Sequence, residues 1–189
     1  LSLRALLLFV CDFSGSQPDI HLPFRRQRKM VIRDRTASIY ANEVALKNLS
    51  LVGRSNFSVW FWDIYDIELK TPSGTYEAGE FPLSLELTYK REISNIELVE
   101  ETVNQWERFN ISENQKKNWA KQLLAIWPSV KPADKITFYI DNKKVTYFYF
   151  NNQFIGKINQ AEFSNAFASI WLDLNGPYPE MTKKLIGST

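Results

Sequence analysis

Residues 147–174, YFYFNNQFIGKINQAEFSNAFASIWLDL, constrain the fold more than any other stretch. An aromatic run that suits a strand meets Asn151-Asn152, a tight-turn pair in which Asn152 is expected at positive φ. A short second strand ends in Ile155-Gly156. The period then changes from two to that of an amphipathic helix, which ends in Ile170-Trp171-Leu172-Asp173. Strands joined by so short a turn are antiparallel neighbours, and the helix that follows must lay its apolar stripe on them.

The rest of the chain uses the same devices. Val44–Leu51 reads as a first strand. Phe57–Leu69 reads as one long aromatic strand, apolar on both faces in its first half and therefore expected to be covered on both sides there. Thr71-Pro72-Ser73-Gly74 is a turn. Leu83, Leu85, Leu87 and Tyr89 alternate with Ser84, Glu86, Thr88 and Lys90, the pattern of a half-buried strand. Ser94 with Glu97, and Ser112 with Gln115, are capping boxes that open two helices. The first carries Ile96, Val99, Val103 and Trp106 on one face, and the second carries Trp119, Leu123 and Ile126-Trp127 up to Pro128. Ile136–Ile140 and Val145–Phe150 form a hairpin. Asn159, with Glu162 three residues on, is expected to cap a third helix whose inner stripe is Phe163, Phe167, Ile170, Trp171 and Leu174. Pro179–Ile186 closes the chain as a short helix, with Gly187 just past its end. Strands linked by hairpins and helices in clusters give an α+β fold: a large antiparallel β-sheet with a layer of helices packed on one face.

Residue types exclude several chemistries. The only cysteine is Cys11 and the only histidine is His21. From residue 37 onward there is no Cys nucleophile, His base, disulfide or ordinary zinc ligand set, so no metal or other cofactor is expected. Residues 1–36 carry seven Lys/Arg and three Asp/Glu; the remainder is mildly acidic, which argues against a nucleic-acid partner. No stretch has the ~20 apolar residues of a transmembrane segment.

Two regions follow from this. Residues 1–41 read as an N-terminal tail, disordered, foreign or the remnant of a signal segment, and residues 42–189 as the folded domain. TASIYAN (36–42) resembles the end of a secretory signal with Ala41 as its last residue, which points to a periplasmic or secreted location; the alternative is cytoplasmic.

The ordered set of Gly53, Val59–Asp66 (VWFWDIYD), Leu85–Ile93 (LELTYKREI), Trp106, Val130-Lys131-Pro132 with Asp134, Phe148-Tyr149, Asn152, Ile155-Gly156, Phe163, Phe167 and Ile170-Trp171-Leu172 resembles the bacterial chalcone isomerase-like family. The resemblance covers roughly residues 44–187. It implies the chalcone isomerase fold, an open-faced β-sandwich whose plant members cyclise chalcones and whose related members bind fatty acids between sheet and helices. The plant enzymes use an Arg and a Thr from the early strands and a Tyr near the start of the first helix. This chain departs from them: Trp62 stands in place of the Thr, Ser94-Asn95-Ile96 begins the helix, and Arg54 is the only Arg near the first strands.

The functional expectation is a non-catalytic protein that binds a small amphipathic, fatty-acid-like ligand. The alternatives are an intramolecular lyase or isomerase acting on a phenolic or enone substrate, and a structural or partner-binding protein. Tyr89 and Arg91, two apart on a strand, share a side and can together hold a carboxylate or phenolate. The bland alternative is a locally satisfied Tyr beside a solvated Arg. Tyr65 with Asp66 is a candidate donor and acceptor pair, and Arg54 a further candidate contact. Trp60, Trp62, Tyr147 and Tyr149 are candidates to line an apolar cleft, or else are simply core.

Overall fold

A computed structural model describes residues 44–59 and 62–188. Six strands form one sheet: β1 (Ser50–Val59), β2 (Trp62–Thr71), β3 (Leu83–Tyr89), β4 (Lys135–Ile140), β5 (Thr146–Phe150) and β6 (Gln153–Ile158). They lie in chain order and each is antiparallel to the next. Helices α1 (Asn95–Trp106) and α2 (Glu113–Ile126) are inserted between β3 and β4, and α3 (Ala161–Leu172) and α4 (Pro179–Ile186) follow β6. This is the α+β architecture that the order of patterns implies.

The alternation in β3 decides which face meets the helices. Leu83, Leu85, Leu87 and Tyr89 are all buried. Register sets Tyr65, Ile67 and Leu69 of β2 beside them on one side and Ile136, Phe138 and Ile140 of β4 on the other. Phe148 of β5 completes the surface opposite Phe138. Both capping boxes form, fixing the starts of α1 and α2. Rings fill the space between the layers: Trp106 meets Trp119 at 5.3 Å, and Phe167 meets Phe138 at 4.7 Å and Phe163 at 5.2 Å. Each such side chain contributes about 1.5–3 kcal/mol through burial.

Two glycines are explained by close approach. A Cβ at Gly53 would lie 2.4 Å from the carbonyl oxygen of Lys184 and 2.5 Å from that of Leu185, so α4 rests directly on the bare backbone of β1. At Gly156 a Cβ would meet the Ile126 side chain at 2.9 Å, where the end of α2 crosses β6. The turn at Asn151-Asn152 has positive φ at both residues, 47° and 69°.

The opposite face of the sheet is divided. Tyr139, Val145, Tyr147 and Tyr149 form a second buried cluster, with Ala45, Leu46, Leu49 and Phe154 packed on it. Beside it runs a charged ladder: Arg54 pairs with Glu68 at 2.7 Å, Lys70 with Glu68 at 3.0 Å, and Lys135 with Glu86 at 2.8 Å.

Several expectations are corrected. Residues 44–47 are helical and the first strand begins at Ser50. Phe57–Leu69 is not one strand: Val59 pairs with Trp62, so the chain reverses there without a Gly, Pro, Asn or Asp to announce it. The expected cover on both sides is absent at Trp62, which is 59% exposed. The third helix is capped by Gln160, not Asn159. The Gln160 side chain accepts the indole hydrogen of the buried Trp119 at 2.6 Å instead of bonding its own helix. Ile96 and Leu174 are exposed, the latter because α3 ends at Leu172; Thr102 takes the inward place on α1. The tail of residues 1–41, the domain boundary and the TASIYAN segment lie outside the described residues.

Candidate functional site

Near the β2–β3 edge of the core the helices do not close on the sheet, and a cleft of about 570 Å³ remains. Its floor is Phe57 of β1, Ile64 and Tyr65 of β2, Leu87 and Tyr89 of β3, and Ile136 and Phe138 of β4. Leu98 and Thr102 of α1, Phe167, Ile170 and Trp171 of α3, and Met181 of α4 form the wall. Trp127, just past α2, and Tyr178, just before α4, complete it. Arg91, Glu92, Glu97, Glu101 and Gln105 are the long polar side chains of the lining.

A break in strand register shapes the floor. Phe57 is opposite Tyr65, whereas Ser58 is opposite Asp63, so Ile64 is an extra residue in β2. Neighbours on a regular strand face opposite sides; the bulge allows Ile64 and Tyr65 both to line the cleft. The Ile64 carbonyl accepts the Lys90 amide at 2.9 Å, which ties the bulge to the end of β3. The adjacent pair Ile64-Tyr65, which breaks the alternation, was the available sign of this feature.

Across three strands Phe57, Tyr65 and Tyr89 form a row. The first two rings stack at 5.0 Å and the second two meet edge-on at 5.8 Å. Tyr89 is held by its backbone, which donates to the Asp134 carbonyl at 2.9 Å and accepts from the Ala133 amide at 2.8 Å. The Tyr65 hydroxyl accepts the indole hydrogen of Trp171 at 2.9 Å. Its own hydrogen has no acceptor among the described residues, and the Tyr89 hydroxyl makes no hydrogen bond among them. Burial raises the pKa of both phenols well above the ordinary value, with the proximity of Tyr65 adding to the rise at Tyr89. Both therefore stay protonated, and the floor presents two neutral O–H donors among apolar side chains, with the charged and polar ones on the β3–α1 connection and α1.

The predicted site residues thus separate. Tyr89, Arg91 and Tyr65 come together in the cleft. Trp62 is outside the lining; its ring lies 4.3 Å beneath the Arg91 guanidinium on the exposed side. Asp66 is not paired with Tyr65, for its carboxylate accepts from Asn56 at 2.9 Å and Lys90 at 2.8 Å. Tyr147 and Tyr149 belong to the cluster on the opposite face, because Phe148 between them points to the helices. Arg54 is engaged with Glu68 and does not reach the cleft. Trp60 is outside the described residues. The early strands contribute Phe57, Ile64 and Tyr65 to the lining rather than an Arg and a Thr, and α1 contributes no Tyr. No group of His, Cys, Asp and Glu among the described residues is arranged to hold a metal ion. No described helix is long and apolar enough to cross a membrane.

A family model described as chalcone isomerase-like matches residues 34–187. The chain belongs to the chalcone isomerase-like family. An uncharacterized protein of Haemophilus influenzae is 27% identical over 138 residues, which span 73% of this chain and 68% of that protein. Among solved structures, a fatty-acid binding protein of Arabidopsis thaliana, AtFAP1, is similar with a TM-score of 0.59. At 9% identity, over 74% of this chain and 87% of that one, it shows that the two share a fold. Within this family fold the cleft lies between the sheet and its helical layer.

Proposed function

We propose that the chain binds a small amphipathic, fatty-acid-like ligand in this cleft and performs no reaction on it. The observation that carries the reading is the pairing of a cavity of about 570 Å³ with an apolar floor and two phenol hydroxyls that have hydrogens to donate and no acceptor among the described residues. That volume suits a small molecule. An apolar tail fits against Leu98, Phe138, Phe167 and Ile170, and an oxygen of the head satisfies Tyr65 and Tyr89. The fold shared with a protein named for fatty-acid binding supports the reading. The strand and helix residues that line the cleft do not reproduce the acid–base and electrostatic set of the plant isomerases, which favours binding over catalysis.

The test is displacement of the neutral fluorophore N-phenylnaphthylamine from delipidated protein by medium-chain and long-chain amphipaths. Dissociation constants on the order of micromolar are expected, weakened about tenfold by Tyr89→Phe. Absence of fluorophore binding and of displacement at millimolar amphipath would overturn the proposal.

A further inference from the structure

The charges of the lining bear on which head group the cleft accepts. Four charged side chains line it: Arg91, Glu92, Glu97 and Glu101, one cation against three carboxylates. They come from the β3–α1 connection and from α1. The side chains contributed by β1, β2, β3, β4, α3 and α4 carry no formal charge at neutral pH. The cation is turned partly away, since its guanidinium lies on the exposed Trp62 ring. Lys90, next to it in sequence, is drawn to Asp66 at 2.8 Å and Asp63 at 3.9 Å and does not join the lining.

Two of the three carboxylates, those of Glu97 and Glu101, are held by hydrogen bonds. Glu97 accepts from the Ser94 amide at 2.8 Å and hydroxyl at 2.7 Å, bonds that keep its carboxyl ionised below the usual range. Glu101 accepts from Gln105 Nε2 at 2.8 Å. Glu101 and Tyr65 line the same cleft, and the Glu101 charge adds a minor part to the rise of that phenol's pKa, which burial dominates. An oxygen hydrogen-bonded to Tyr65 therefore lies within the field of Glu101.

From this geometry we infer that the cleft selects an amphipath whose head is an uncharged oxygen acceptor, such as an alcohol, ester or carbonyl, and disfavours the carboxylate of the same chain length. Both heads offer an oxygen that the phenols can donate to, and because hydrogen bonds to a carboxylate are the stronger ones, the charge at the rim has to outweigh that gain. The difference is the like charge at the rim, a repulsive element that discriminates between otherwise similar ligands. Glu101 and Glu92 are the specificity-determining residues, and Arg91, one cation against three carboxylates and partly drawn onto Trp62, offsets only part of their charge. The inference rests on the cleft being a ligand site.

The experiment compares dodecanol with dodecanoate as competitors of N-phenylnaphthylamine at about pH 8, where the free acid is ionised. The alcohol should bind about tenfold more tightly in the wild type, and Glu92→Gln/Glu101→Gln should reduce the ratio to about threefold or less, chiefly by improving the acid. Circular dichroism of the double variant should match the wild type, since both residues are exposed on the surface of the connection and α1. Acid binding equal to or tighter than alcohol binding would overturn the charge selection while leaving the ligand site intact. Failure of both competitors, with no uptake of the fluorophore, would overturn the site itself and this inference with it.

Discussion

Trp171 donates its indole hydrogen to the hydroxyl of Tyr65 at 2.9 Å, across 106 residues of sequence, and so ties α3 to β2 at the edge of the cleft. The bond leaves the phenol hydrogen of Tyr65 available to a ligand while fixing the direction in which the ring lies. Replacing Tyr65 by Phe removes the acceptor and strands the indole donor of a residue that is 7% exposed. The expected cost is about 1–3 kcal/mol of stability, read as a lower midpoint in urea denaturation at unchanged slope. An unchanged midpoint would show that the bond contributes nothing.

Alkaline pH tests the burial of the two phenols. Tyr65 and Tyr89 both have folded-state pKa values raised above the ordinary 10.0 by desolvation. Below that ordinary value the groups are protonated in both states and their contribution is fully present. As the pH rises past it, the unfolded chain releases two protons that the folded chain keeps, so unfolding is favoured and stability falls. Denaturation curves between about pH 8 and 11 should show this decline, and Tyr89→Phe should make it shallower. A stability that rises across that interval would contradict the burial of these hydroxyls.

Much of the architecture was legible because it follows from local periodicity and capping. The alternation of Leu83–Tyr89, the boxes at Ser94 and Ser112, and the Asn151-Asn152 turn each specify their element without help from tertiary contacts. The misread places are those where a distant contact decides. Gln160 holds the N-cap position of α3 although its side chain is taken up by Trp119 and makes no capping bond. The reversal between Val59 and Trp62 carries no turn residue. Of the candidate site, Tyr65, Tyr89 and Arg91 were within reach of a strand-face argument. Tyr149 was not, because density of aromatic residues does not say which face of the sheet they occupy, and here Phe148 takes the helical side. Ile64 was hidden by a bulge, and Leu98 because the inward stripe of α1 was drawn through Ile96, which is exposed, although Val99 and Trp106 of that stripe are buried.

Gly53 gives a sharp test of how α4 docks. Gly53→Ala would drive a methyl group into two backbone carbonyls of α4, and backbone cannot step aside as a flexible side chain can. The variant should lose about 1–3 kcal/mol or more, with accelerated hydrogen exchange in Pro179–Ile186. Gly156→Ala meets the Ile126 side chain instead, which can shift, and should be milder. A Gly53→Ala variant as stable as the wild type would refute the close packing of α4 on β1.

The exposed pair of Arg91 and Trp62 predicts little for stability. Trp62→Ala should change the folding free energy by less than about 1 kcal/mol, since the cation–ring contact is solvated. The same change frees the guanidinium to turn toward the cleft, so the preference for an uncharged head should narrow in the competition between dodecanol and dodecanoate. A large destabilisation would mean that the ring is part of the core.

The central claim, a cleft whose two phenols hold the head of an amphipath, is tested most directly by a crystal structure with a bromine-labelled probe, ω-bromododecanol. The account predicts an anomalous bromine peak among Leu98, Phe138, Phe167 and Ile170, with the alcohol oxygen within about 3 Å of the hydroxyls of Tyr65 and Tyr89. An empty cleft at saturating probe, or a probe seated only elsewhere on the molecule, would contradict it.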